Sequence, residues 1–268
     1  MTTMRPSTLV LLGTSSASMF QHLDALVNSP STSCPLGNKP VAPDFSSGCA
    51  SFNSSSSGAS ARALDTVPVS HETAAKLDGF VDHLLRVAPH LNLIARSTLP
   101  NVWTRHVADS LQLMPLAPDA KCWVDLGSGA GFPGLVIACA LAGRAGATVH
   151  LVESIGKKAA FLREAVNLLQ VPAVVHAVRI EDFGKNFTMR PDVVTARALA
   201  PLDELLTLAQ PLLKTGAQGL FPKGQDVEGE LTRASKYWNI DADLVPSKTS
   251  PQGRIVVVRG LKPRSRKP

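Results

Sequence analysis

No two cysteines in this chain are close enough to form a Cys-x-x-Cys pair. Cys34, Cys49, Cys122 and Cys139 are scattered along 268 residues. That spacing argues against a disulfide framework or a thiolate zinc site and suits a reducing cytoplasm. Long apolar runs are missing too. The longest, Leu135–Ala142, falls well short of the roughly 20 residues of a membrane span, and near the N-terminus Leu9–Leu12 falls short of the about 7–15 of a signal-peptide core. Nothing resembles a Ser-His-Asp, His-Glu-x-x-His or P-loop signature, and no internal repeat is found. Acidic residues are scarce at the C-terminal end: seven Lys or Arg and no acid lie between Lys248 and Pro268. A basic end is either a solubilising tail or a phosphate contact for a nucleic-acid substrate.

What the chain does have is concentrated in residues 122–134, Cys-Trp-Val-Asp-Leu-Gly-Ser-Gly-Ala-Gly-Phe-Pro-Gly. A short apolar run (Trp123, Val124, Leu126) reads as a buried strand. It breaks into Gly127, Gly129, Gly131 and Gly134, and a helical run follows from Leu135 to Leu141. A strand passing through glycines into a helix makes a nest of backbone N–H groups that a ligand can approach. Gly129-x-Gly131-x-x-Gly134 satisfies the dinucleotide fingerprint. Asp125-x-Gly127-x-Gly129-x-Gly131 equally resembles motif I of class I S-adenosylmethionine-dependent methyltransferases, which puts an acid at the strand tip. Glu153, 24 residues beyond Gly129, is the ribose-binding acid that both classes want.

Residues 1–65 hold fifteen serines and only three basic and three acidic side chains. Such a composition cannot bury enough surface to offset its ordering entropy and reads as a disordered leader. A mis-set start or an uninformative extension accounts for it better than a transit peptide, since Arg5 and Arg62 are its only arginines. Order is expected from about Ser70. Leu77, Phe80, Val81, Leu84, Leu85 and Ala88 are spaced as one helix face, with Pro89 as the stop. A second helix is expected from about Pro100 to Leu113, with Val102, Val107 and Leu111 inward, and Pro115 ends the run.

Beyond the glycine loop the pattern alternates. Strand two is 148–153, then a helix runs from an N-cap at Ser154 to about Gln170. Strand three is Ala173–Val178, strand four Val193–Ala196, then a helix from Pro201 to Leu213. Strand five is about Gln218–Phe221, followed by a polar helix over 226–238. Two strands near 241–245 and 254–258 imply a terminal antiparallel hairpin. Ligands of open α/β sheets sit outside the carboxyl ends of the strands. The candidates there are Asp125 and Gly127, Glu153, Ile180 with Glu181 and Asp182, Arg197 and Lys223. Glu181 is an adenine contact or a helix-start acid, and Lys223 a phosphate contact or a turn lysine.

The Asn/Asp-Pro-Pro-Tyr/Phe signature of amino-group methylases is missing after strand four, which reads Thr195-Ala196-Arg197-Ala198. Neither Cys122 nor Cys139 falls at a strand end as a C5-methylating nucleophile would. A methyl transfer to an atom with its own lone pair, such as guanine N7, needs neither base nor nucleophile from the protein.

Four motifs in order, Arg105-His106-x-x-Asp109-Ser110, Asp125 to Gly134, Glu153-Ser-x-Gly-Lys-Lys158 and Thr195-Ala-Arg197-Ala198, resemble the RsmG (GidB) family of bacterial 16S rRNA guanine-N7 methyltransferases. The similarity covers roughly residues 70–260. It implies an α/β fold of the class I methyltransferase kind: a Rossmann-like doubly wound sheet with a terminal antiparallel strand and an N-terminal helical cap. The layout read from the sequence is a leader at 1–65, which has no counterpart in the family, the cap at 66–118, the methyltransferase domain at 119–260 and a basic tail at 261–268, which exceeds what the family motifs specify. Carried over by position, Gly127, Phe132, Ile180, Glu181 and Arg197 would bind S-adenosyl-L-methionine, with Asp125 and Gly129 in the loop and Glu153 near the ribose. Arg105, His106 and Asp109 would border the cleft as positioning groups, or form a structural capping network. No catalytic nucleophile and no metal is implied. The partner would be 16S rRNA or the 30S subunit, met by a monomeric cytoplasmic enzyme. A dinucleotide-dependent oxidoreductase and a cofactor-free RNA-binding protein are the competing readings.

Overall fold

The computed structural model describes Leu64 and residues 67–264. Apart from Leu64, the stretch read as a leader lies outside the described residues, as do residues 265–268.

Helix α1 (His71–Leu91) opens the described chain. The Ser70 side chain accepts a hydrogen bond from Thr73 N at 3.2 Å, satisfying one of the free N–H groups of the first turn. Leu77, Phe80, Val81, Leu84 and Ala88 are buried as their spacing predicts. Pro89 does not end the helix. It sits in the last turn, and the stop comes at Asn92, in the left-handed region at φ 48°. The second cap helix is irregular: Arg96–Asn101 is a 3-10 segment, Trp103–Ala108 has π geometry, and α2 (Asp109–Leu111) is a single α turn. Val102, Val107 and Leu111 are nevertheless buried.

Five parallel strands follow: β1 (Cys122–Leu126), β2 (Thr148–Val152), β3 (Ala173–His176), β4 (Val193–Thr195) and β5 (Gln218–Lys223). Helices α3 (Gly134–Ala140), α4 (Gly156–Leu169), α5 (Ile180–Asn186), α6 (Leu202–Leu213) and α7 (Val227–Ala234) connect and follow them. The chain then makes β6 (Trp238–Pro246) and β7 (Arg254–Pro263), and the sheet order is β3-β2-β1-β4-β5-β7-β6. β7 enters antiparallel between β5 and β6, so the final two strands are the expected hairpin. Both run longer than their apolar cores suggested. β6 begins at the end of the range expected for the polar helix, and β7 reaches Pro263, three residues into the expected tail. Helix α4 starts at Gly156 with Ile155 at its N-cap and no side-chain cap from Ser154, while the Glu153 carboxylate accepts from Ile155 N at 2.7 Å.

The sheet is covered on both faces. Trp123 packs with α1, α3 and α4 on one side; Val124 and Leu126 pack with α6 and α7 on the other. Strand alternation therefore points Asp125 to the Trp123 side, at the start of α3. Its Oδ2 accepts from Gly134 N at 3.1 Å, placing a carboxylate at the positive end of that helix. A Cβ on Gly134 would lie 2.6 Å from that same oxygen and would also strike Leu151. Gly134→Ala is therefore expected to destabilise the protein by about 1–3 kcal/mol, the usual cost of overpacking, as read by chemical denaturation. A variant as stable as the parent would mean that α3 can slide on the sheet.

Candidate active site

Two clusters lie at the carboxyl ends of the strands. The first is the loop after β1. Gly127 has φ 69°, and a Cβ there would meet Leu199 Cδ1 at 2.7 Å, so both backbone and space demand glycine. Ser128 N donates to Val152 O at 3.0 Å, and Gly129 N donates to Glu153 Oε2 at 2.9 Å. The loop is thereby stapled to the tip of β2. Glu153 is buried with one backbone N–H on each oxygen. Ile180, half-buried, and Glu181, exposed, open α5 beyond β3.

Asp125 is fully enclosed. Beside its bond from Gly134 it accepts from Thr195 Oγ1 at 2.9 Å, so both oxygens are engaged by the protein. Burial, opposed by those hydrogen bonds and by the Arg197 charge, pushes its carboxyl up from 3.8 to about 6. Its geometry is that of a group that fixes the loop, tying β1 to β4 and α3.

The second cluster joins the cap to β4. Arg197, two residues past β4, precedes Ala198, which is held at φ 50°; such strained backbone is characteristic of functional sites. Arg197 Nη1 donates to Arg105 O at 3.0 Å and faces Asp109 Oδ2 at 3.5 Å; Nη2 lies 2.8 Å from His106 Nδ1. A guanidinium only donates, so Nδ1 is the acceptor and the imidazole proton sits on Nε2, 3.1 Å from Thr98 Oγ1. Burial first, then the Arg197 and Arg105 charges, push His106 down from 6.5 to about 4. The ring is therefore neutral at physiological pH, with both nitrogens occupied. It stacks on Phe132 with ring centres 5.0 Å apart, and the Arg197 guanidinium lies 5.3 Å from the same ring centre.

The structure brings Arg105, His106, Asp109, Phe132 and Arg197 together, and the sequence reading missed what holds them. Asp109 Oδ1 accepts from Gln112 Nε2 and from Thr249 Oγ1, both at 2.7 Å, and Gln112 Oε1 accepts from Lys248 N at 2.8 Å. The turn between β6 and β7 is thereby clamped to the cap. The run of polar residues from Ser247 to Ser250 between two apolar strands was the only sequence signal for it. Beside this network opens a cavity of about 590 Å³, between the cap, the ends of β4 and β5 and the β6–β7 turn. Arg105, His106, Asp109, Arg197 and Lys223 line it, whereas Gly127, Gly129, Glu153, Ile180 and Glu181 do not.

A family described as rRNA small subunit methyltransferase G matches residues 73–257, from α1 into β7. The chain belongs to the GidB family. The ribosomal RNA small subunit methyltransferase G of Bradyrhizobium sp. strain BTAi1 is 58% identical over 198 residues, covering 74% of this chain and 89% of that protein. The same-named protein of Nitrobacter hamburgensis is 56% identical over 208 residues, covering 78% of this chain and 80% of its own. An O-methyltransferase from Bacillus cereus shares the fold, with TM-score 0.52 at 15% identity, over 76% of this chain and 97% of that one. The GidB match takes in both clusters and the β6–β7 turn.

Proposed function

We propose that this chain transfers the methyl group of S-adenosylmethionine to N7 of a guanine in 16S rRNA, as a monomeric cytoplasmic enzyme acting on the rRNA or on the 30S subunit. The GidB match across both clusters carries this reading. In it, residues 66–118 are the cap and 119–260 the catalytic domain.

The loop after β1 fits the cofactor. Gly127 and Gly129 are partly exposed there, and Glu153, with one donor per oxygen, keeps lone pairs for ribose hydroxyls. Ile180 and Glu181, at the start of α5, stand for the adenine end, and Arg197 with Phe132 for the side facing the acceptor. When bound, the cofactor supplies a methyl group on a sulfonium. The chain's own residues position the partners and exclude water. His106 has no free ring nitrogen and no charge to give, so it orients Arg197 and does not serve as a base. An acceptor nitrogen that carries its own lone pair suits such a site.

Thermal or chemical unfolding with S-adenosylmethionine and with NADH separates this reading from the oxidoreductase one. At 100 times its Kd a bound ligand adds about 2.7 kcal/mol. Stabilisation by S-adenosylmethionine alone, with labelled methyl transferred to a guanine of 30S subunits, is expected. Stabilisation by NADH alone overturns the reading.

A further inference from the structure

The 590 Å³ cavity holds an ion pair that the cofactor reading does not use. Lys223, the last residue of β5, lies 2.8 Å from Glu230 Oε2 on α7, and the two side chains are only 10% and 18% exposed. Lys223 Nζ also donates to Ala200 O at 2.7 Å, and Glu230 Oε2 also accepts from Leu202 N at 2.7 Å. These bonds fix both groups against the segment between Arg197 and α6. An ammonium has three protons and a carboxylate two oxygens. One Lys223 N–H and Glu230 Oε1 are left without a partner among the described residues, and both residues line the cavity. A half-buried ion pair is poor evidence of stability for its own sake. This one offers a donor and an acceptor side by side, in fixed order.

That pattern has a complement. A guanine taken out of its stack shows O6, an acceptor, next to N1–H, a donor; adenine shows the opposite order. The glycines of the loop do not line this cavity, whereas Arg197 and His106 do, and in the methyl-transfer reading it is the acceptor side of the cleft. We propose that the Lys223–Glu230 pair reads the O6/N1–H edge of the acceptor guanine in this cavity. The inference rests on the methyl-transfer reading above and names the residues that select its substrate base.

Ile255 lines the same cavity and reports on it. With S-adenosylhomocysteine present, guanosine 5′-monophosphate is expected to shift the Ile255 methyl resonance of the full chain with an affinity about tenfold above that of adenosine 5′-monophosphate. Glu230→Gln keeps an oxygen for Leu202 N but replaces the outward acceptor by a donor. It is expected to abolish the preference and to slow methyl transfer to 30S subunits about 100-fold, while the stabilisation by S-adenosylmethionine persists. Equal affinities for the two nucleotides, an unmoved Ile255, or an unimpaired Glu230→Gln enzyme overturns the proposal. The wild-type comparison of nucleotides decides the matter should the variant fold poorly. Loss of the wild-type response to S-adenosylmethionine would instead strike the function itself.

Discussion

Arg197→Ala is expected to weaken S-adenosylmethionine binding by about 10–100-fold, which corresponds to about 1.5–3 kcal/mol, the range for hydrogen bonds to charged groups. Its guanidinium ties Arg105 O, His106 Nδ1 and Asp109 together and lies by the Phe132 ring, so one truncation loosens the cap as well as the cleft. Asp109 would keep its bonds from Gln112 and Thr249, which limits the loss of fold stability. Isothermal titration beside thermal unfolding separates the two effects. Arg197→Lys keeps the charge but cannot serve three partners on separate sides, so it should recover little of the binding. Undiminished cofactor affinity in Arg197→Ala would leave Arg197 a strut of the cap.

The Asp125 pair of variants should show a second large effect. Asp125→Ala leaves Gly134 N without its acceptor and Thr195 Oγ1 with only a long bond to Val124 O at 3.5 Å, at about 1–3 kcal/mol for each buried group left unpaired. Asp125→Asn keeps an acceptor for Gly134 and offers its amide to the Thr195 oxygen. At pH 8 it is expected to match or exceed wild-type stability, because it also removes a buried charge. The pH dependence follows from the raised carboxyl. Its contribution to stability is fully present below the unfolded value near 3.8 and is lost as pH rises through about 6. A shift of that size corresponds to about 3 kcal/mol. His106 and His150, each pushed down to about 4 chiefly by burial, act with the opposite sign, since their stability is present above 6.5 and is lost as pH falls. They are common to wild type and Asp125→Asn and cancel in the difference. Urea denaturation of the two proteins between pH 4 and 8 should show wild type gaining on the variant as pH falls. A flat difference would mean that the buried carboxyl titrates normally.

The glycine loop, the cap residues and Arg197 were readable because each lies within a few residues of a strand end or on one helix face. Asp125 was readable as a residue of interest, yet not for its role. Strand alternation directs it under α3, and only there does the close approach of Gly134 appear. Ser154 misled because its residue type offers a cap, while the helix begins one residue later, with Ile155 at the N-cap and its N–H donated to the Glu153 carboxylate. The irregular turns of Trp103–Ala108 leave no mark in a hydrophobic spacing that keeps Val102, Val107 and Leu111 buried all the same.

The sequence by itself determined the alternating strands and helices, the closing hairpin and the glycine-lined turn, since each follows from local periodicity and from backbone freedom at particular residues. The tertiary structure alone decided which side chains meet: Thr249 with Asp109 across 140 residues, and Lys223 with Glu230 and Ala200 around the cavity. No local pattern encodes the first meeting, because it arises only when β7 inserts beside β5 and the turn before it reaches the cap; the second arises only when β5, α7 and the segment before α6 converge.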